Sequence, residues 1–244
     1  MTRLHIPTLC LITGLAAPFA AYAADPVLPA FDAAHFTAPK PNPYFPLDIG
    51  TSRTLLGTRT DGDPVIEHAV LTVQGPGPII LGVPTVLVLD EAFEGGVLVE
   101  RTFDYFAADQ DGNIWYFGED VTNFRYDDAG KLTGTDSKSA WRAGINDALP
   151  GISVAGTPTV GLTLFQEHAP TDEAMDYAEV VAIDLEITGP SGTYKDVLKT
   201  FEASTADPDL REYKYYAPGA GMIRADEELT AALDNPAIVV ELQP

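Results

Sequence analysis

The chain has 244 residues, with 36 acidic against 14 basic side chains, a net charge of −22, and one cysteine, Cys10. That charge argues against nucleic acid and anionic membrane surfaces as partners, and it suits divalent cations, basic partners or plain solubility. One cysteine excludes a disulfide framework, so stability has to come from a core, for which a chain of roughly 220 residues or more is long enough.

The first segment, "MTRLHIPTLCLITGLAAPFAAYAAD", reads as a secretory signal peptide. Arg3 supplies the positive end, Leu9 to Ala17 a short apolar run, and Ala21-Tyr22-Ala23 a small-x-small cleavage signal, predicting a signal over 1–23 with cleavage after Ala23. Gly14 and Pro18 interrupt the run, which is too short to span a bilayer, and no later stretch is apolar enough to do so. Cleavage removes Cys10 and Arg3 and no acid, leaving 13 basic against 36 acidic residues and a net charge of −23. A cysteine-free exported chain points to a periplasmic or secreted protein.

Residues 24–50, rich in proline, predict an extended lead-in outside the core. Residues 51–244 then predict a single β domain. "TSRTLLGTRT" and "PVIEHAVLTV" flank Asp61-Gly62-Asp63, and "TVLVLDEAF" and "VLVERTFDYFA" flank Glu94-Gly95-Gly96. "NIWYFGEDVTNFRY" follows, then a turn over 127–131. The stretch 138–160 has no clear period and reads as a long loop across a face. "GLTLFQEH", "AEVVAIDLEI", "TYKDVLKTFEA", "REYKYYA", "GMIRA" and "AIVVEL" continue the strand pattern, and acids in the first turn of "ADEELTAALD" predict one short helix over 225–234. Closely spaced turn signals with little helix predict a mainly β fold, an antiparallel sheet curled into an open barrel or a sandwich.

"DQDGN" at 109–113 invites comparison with a calcium loop. Asp109, Asp111 and Asn113 occupy positions 1, 3 and 5 of an EF-hand and Asp120 position 12, but position 6 is Ile114 where glycine is needed, and the flanks are strand-like. Asp-Gly between alternating apolar runs predicts a hairpin instead. With Asp111-Gly112 as a two-residue turn, Gln110 faces Asn113, Phe106 faces Phe117, Ala108 faces Trp115, Asp104 faces Glu119 and Glu100 faces Asn123. Two opposed carboxylates repel without compensation. Glu100, Asp104, Glu119 and Asn123 would then form one oxygen-rich patch, the chemistry of a divalent cation site, with Ca²⁺ the favoured ion. A three-residue bulged turn would shift the register and remove the opposition.

A second acidic group, Asp172, Glu173, Asp176 and Glu179, follows Glu167 and His168. A carboxylate-rich loop beside a histidine can bind a metal, although solvated loop acids are commoner. His35, His68 and His168 stand alone, and no nucleophile elbow, P-loop or dinucleotide fingerprint occurs. Nothing positive marks an enzyme; a hydrolase using a carboxylate pair is one alternative. In "YKYYAPGAGMI", Tyr213 and Tyr215 share one strand face, and Lys214 and Tyr216 the other. Trp115, Phe117, Trp141 and Tyr215 could line a cavity for an apolar small molecule or lipid, although core packing also accounts for them.

The segments "NPYFPLDIGT", "ERTFDYFAADQDGNIWYFGED", "SAWRAGINDALPGI", "FQEHAPTDEAMDYAEV" and "EYKYYAPGAGMI" resemble a group of exported bacterial β-rich proteins that read D-G-N-x-W-Y-F-G-E and K-Y-Y-A-P-G-x-G and have no established activity. The resemblance spans most of residues 42–223. The Tyr-Ala-Pro-Gly-x-Gly segment is also similar to the last strands of periplasmic domains whose sheets curl into open barrels like those of lipoprotein carriers. This chain departs in having Ala220 and Met222, where larger or different aliphatic residues are usual. The resemblance implies fold and export and is silent on chemistry. The expectation is an exported, non-enzymatic protein that binds a cation, or alternatively an apolar molecule, on one sheet face.

Overall fold

The computed structural model describes residues 25–60, 66–127 and 129–244, and the side chains of 66–68 are left aside. The predicted signal peptide and the Asp61-Gly62-Asp63 turn lie outside the described residues.

Among the described residues fifteen strands form one antiparallel sheet. They are β1 (Ser52–Arg59), β2 (Ile66–Ile80), β3 (Val83–Glu94), β4 (Val97–Ala108), β5 (Ile114–Tyr126), β6 (Leu132–Asp136), β7 (Trp141–Arg142), β8 (Leu149–Val154), β9 (Thr163–Phe165), β10 (Glu167–His168), β11 (Asp176–Gly189), β12 (Gly192–Ser204), β13 (Arg211–Ala217), β14 (Gly221–Glu227) and β15 (Ile238–Leu242). Neighbours run β10-β8-β5-β4-β3-β2-β1-β15-β14-β13-β12-β11-β9, with β6 and β7 both paired to β5. The sheet curls into a nearly closed barrel with one seam. The two ends of the path, β9 and β10, are consecutive in the chain, so the polypeptide crosses the seam at Gln166, whose N–H donates to the Asp176 carbonyl at 2.8 Å. The seam is tight: a Cβ on Gly151 of β8 would lie 2.3 Å from the Phe165 carbonyl oxygen.

Period-two alternation sorts the inner face into two layers. At one end Val88, Phe106, Val180, Leu198 and Tyr216 meet across the barrel in an apolar plug. Two or more residues along the same strands and faces stand Asp90, Asp104, Asp176, Glu202, Glu212 and Lys214. The barrel is therefore oily at one end and acidic at the other. Large aromatics packed on the outer face supply much of the cohesion, at about 1.5–3 kcal/mol for each fully buried large side chain.

The proline-rich lead-in contributes to that outer packing, contrary to the expectation that it stays out of the core. Phe31 and Phe36, the latter at the end of a 3-10 turn (Ala33–Phe36) capped by Asp32, set their rings 5.6–6.0 Å from Trp115 and Phe117. Asn42 is buried and donates to the Gly112 carbonyl at 2.8 Å.

Two elements differ from expectation. The predicted helix over 225–234 is absent, and no α-helix occurs among the described residues. Ala225 and Asp226 pair in β14 with Val240 and Val239, and left-handed residues at Glu228, Leu233 and Asn235 break any helical continuation. Burial of Ala225 and Leu229 outweighs helix propensity there. The aperiodic stretch 138–160 contains β7 and β8, too short and too broken by glycine and proline to show a period.

Candidate functional site: an acidic barrel interior

The β4–β5 hairpin turns through Gln110-Asp111-Gly112, not through two residues. Asp109 N–H donates to the Asn113 carbonyl at 3.0 Å, and Gly112 lies at φ +81°. The register next to the turn therefore shifts by one: Phe106 faces Tyr116, not Phe117, and Ala108 faces Ile114, not Trp115. A second irregularity reverses the shift. Phe117 and Gly118 together oppose Tyr105, a bulge that Gly118 permits at φ +122°. Beyond it Asp104 faces Glu119 and Glu100 faces Asn123, the pairings expected from the sequence.

The compensation for two opposed carboxyls is Tyr116. Its hydroxyl lies 2.6 Å from Asp104 Oδ1 and 3.0 Å from Glu119 Oε2, close enough to donate to either. Burial, then Asp90 and Glu100 against the Tyr116 hydrogen bond, raises Asp104 to about 7. Burial and Asp104 raise Glu119 to about 8. The pair therefore holds protons near neutrality and avoids meeting as two anions. Asp90, also raised by burial and by Glu100, reaches about 6.

Glu100 and Asn123 take other hydrogen-bond partners. Glu100 accepts from Thr102 at 3.0 Å, and the Asn123 amide donates to Asp136 at 3.1 Å and to the Lys138 carbonyl at 3.3 Å. The four expected ligands thus share one face without converging on one point. Among the described residues no group of three or more His, Cys, Asp or Glu side chains is placed to hold a metal ion.

The opposite wall was not foreseen as part of this site. Glu202 faces Glu212 across β12 and β13, and Lys214 bridges them at 2.9 and 3.0 Å. Burial pulls the Lys214 ammonium down, but Glu202 and Glu212 more than offset it and hold it well above its ordinary value. Tyr216 and Thr200 hydroxyls complete Glu202 at 3.1 and 2.9 Å. The alternation in "EYKYY" already places Glu212, Lys214 and Tyr216 on one face; the missing signal was which strand lies opposite.

The second acidic group joins the same interior. Glu119, Glu167 and Asp176 line a cavity of about 680 Å³ whose mouth carries Lys138, Glu173 and Asp207. Residues 170–173 form a turn closed by the Ala169–Ala174 bridge, with Glu173 at φ +60°, and Asp176 opens β11. Burial raises Glu167 well above its ordinary value, with Asp176 and Glu119 adding to it, and burial raises Asp176. Glu167 Oε2 is sealed from solvent and accepts no hydrogen bond, and the buried Trp141 indole N–H beside it is also without a partner in hydrogen-bond geometry. A smaller cavity of about 300 Å³ is lined by the charged Asp90, Glu212 and Lys214 together with the apolar Leu55, Leu71 and Val240.

Of the expected aromatic set, Trp115, Phe117 and Trp141 share one buried cluster and Tyr215 lies apart, so the four do not form one lining. Trp115 and Phe117 are buried in the outer cluster, and the Trp115 indole N–H donates to Asp109 at 2.8 Å. Trp141 stands edge-on to Tyr116 at 5.4 Å. Tyr215 belongs to a separate cluster and its hydroxyl donates to Asp226 at 2.9 Å. None of the four lines either large cavity.

No family model matches the chain, and no curated protein does. Among solved structures, it is similar to a Bacteroides fragilis protein described as exported with a YmcC-like fold, at 13% identity and a TM-score of 0.43, covering 82% of this chain and 97% of that one. It is also similar to a Parabacteroides distasonis protein described as a lipoprotein, at 13% identity and a TM-score of 0.44, covering 84% and 98%. At that overlap neither likeness bears on what this chain binds or does.

Proposed function

We propose that the chain is an exported, non-enzymatic binding protein that takes a cation into the acidic end of its barrel. The convergence of Glu119, Glu167 and Asp176 on one large cavity carries this reading, because among the described residues none of the three forms an ion pair. A carboxyl that burial keeps protonated gives up its proton when a cation supplies the counter-charge, so cation uptake releases protons and strengthens as pH rises. Export rests on the signal-like sequence at 1–23. Ca²⁺ is the divalent cation to test first, since carboxylate oxygen is its preferred donor.

A hydrolase reading has less support. The Tyr116 hydroxyl occupies the space between Asp104 and Glu119, where a water or a glycosidic oxygen would have to sit.

The test is a melting curve with EDTA, Ca²⁺, Mg²⁺ and simple organic ammonium salts at pH 6 and pH 8. A saturable rise with at least one cation, larger at pH 8 and lost in Asp176→Asn, is the expected result. A melt that no cation moves at either pH removes the reading.

A further inference from the structure

We infer that the smaller cavity of the barrel binds a neutral aliphatic molecule through a hydroxyl headgroup, held by Asp90 and Lys214. The site is separate from the large acidic cavity and does not rest on the cation reading. Small side chains make its space. Val73 of β2 opposes Val88 of β3 in the apolar plug. Further along the same faces Ala69 opposes Ala92, and Ala69 also faces Leu55 of β1, two residues from Gly57. Valine gives way to alanine and glycine, and the lumen opens into about 300 Å³ with Leu55, Leu71, Met222 and Val240 in its lining. Close-packed interiors hold few voids larger than a water molecule, and this one has the volume of roughly ten. Leu55, Leu71 and Met222 also line a narrower cleft of about 40 Å³ with Phe45, Val73 and Val88, so the apolar surface continues beyond the cavity.

Two polar groups in the same lining define the head. Asp90 lines the cavity, and its side chain has no hydrogen-bond or ion-pair partner among the described residues. Its Oδ1 is sealed from solvent, so a ligand meets the group through Oδ2. A donor there offsets part of the cost of burying an unpartnered acceptor. Lys214 gives two of its three N–H groups to Glu202 and Glu212 and keeps one. A hydroxyl both donates and accepts, so a single oxygen serves Asp90 and Lys214. A carboxylate headgroup would meet Asp90, Glu94, Glu212 and Glu227 in the lining, with Lys214 already engaged by two acids. An ammonium headgroup would stand beside the Lys214 charge, which already acts on Asp90.

The experiment is calorimetric titration of the purified protein with 1-octanol, sodium octanoate and n-octylammonium chloride. 1-Octanol is expected to bind at one site, at least about tenfold more tightly than either ion. The same titration in EDTA should give the same affinity, so the cation reading can fail while this one stands. Asp90→Leu should weaken 1-octanol by about tenfold or more and leave the fold intact, since the carboxyl it removes has no partner to lose. Ala92→Leu fills the space and should abolish binding. If 1-octanol does not bind, or if either folded variant binds it as tightly as the parent does, the inference is overturned. If n-octylammonium binds more tightly than 1-octanol, Asp90 is a counter-ion and the hydroxyl assignment is overturned.

Discussion

Asp109 shows what "DQDGN" is for. Its Oδ1 accepts the Asp111 and Asn113 N–H groups at 2.8 and 2.9 Å, and its Oδ2 accepts the Asn113 side-chain amide and the Trp115 indole, both at 2.8 Å. The residue that mimics the first ligand of a calcium loop instead serves as acceptor for the turn itself. Asp109→Ala leaves buried donors without an acceptor and should cost about 3 kcal/mol in urea unfolding, whereas Asp109→Asn should cost less because one acceptor oxygen remains. The Asp104–Glu119 pair makes a different prediction. Their folded-state values, about 7 and about 8, lie above those of an unfolded carboxyl, so the folded state binds more protons between about pH 4 and pH 8. The stabilisation is complete below the unfolded value and is lost as pH rises through the folded one. Melting temperature should therefore fall from pH 5 to pH 9, with a slope of at most about 1.4 kcal/mol per pH unit for each group. Asp104→Asn should flatten that fall, and an equally steep profile in the variant would contradict the assignment. The opposition of these two acids was legible from alternation alone. Tyr116 as their bridge was not, because its side chain reaches the inner face only through an irregular register.

At the scale of elements, two departures from a regular hairpin cancel. The extra loop residue moves β5 by one place, and the bulge at Phe117–Gly118 moves it back. A register argument from an assumed two-residue turn thus fails beside the turn and succeeds beyond the bulge. Gly118 was the readable clue, since glycine inside an aromatic strand marks a bulge or a close approach. Here it marks both: its φ is +122° and a Cβ would lie 2.4 Å from the Trp141 carbonyl oxygen. Gly118→Ala should destabilise the protein by about 2–4 kcal/mol and move the Asp104–Glu119 pair out of opposition. The combined readout is a lower urea midpoint with a flatter pH profile; a lower midpoint with the profile unchanged would show the pair surviving the bulge. The helix expected at 225–234 failed for a tertiary reason. Its opening residues are wanted in β14 next to β15, and the acids that suggested a helix start include Asp226, which accepts from Tyr215 and Arg224 instead.

Across the whole molecule, the strand pattern and turn spacing made the antiparallel sheet and its curling readable. The acidic lumen was not readable as one site, because Asp104, Glu167, Asp176 and Glu202 come from four strands whose adjacency only closure defines. Closure also sets where the barrel is weakest. The strands at the seam, β9 and β10, are the three-residue Thr163–Phe165 and the two-residue Glu167–His168, against the long ladders of β2, β3, β11 and β12. Amides of Phe165, Gln166 and Ala169 should exchange with deuterium well before those of β2 and β3, and equal protection would mean that the seam opens only with global unfolding. The amino-terminal segment bears on this. Val27 bridges to Leu164 in parallel, with its N–H donating to the Thr163 carbonyl and its own carbonyl accepting from Phe165, both at 3.1 Å. Mechanical tension on the chain ahead of Val27 would therefore peel at β9 first. Loaded from that end, the barrel would unzip from a three-residue strand at its seam, baring the acidic lumen before the aromatic packing further along the sheet gives way.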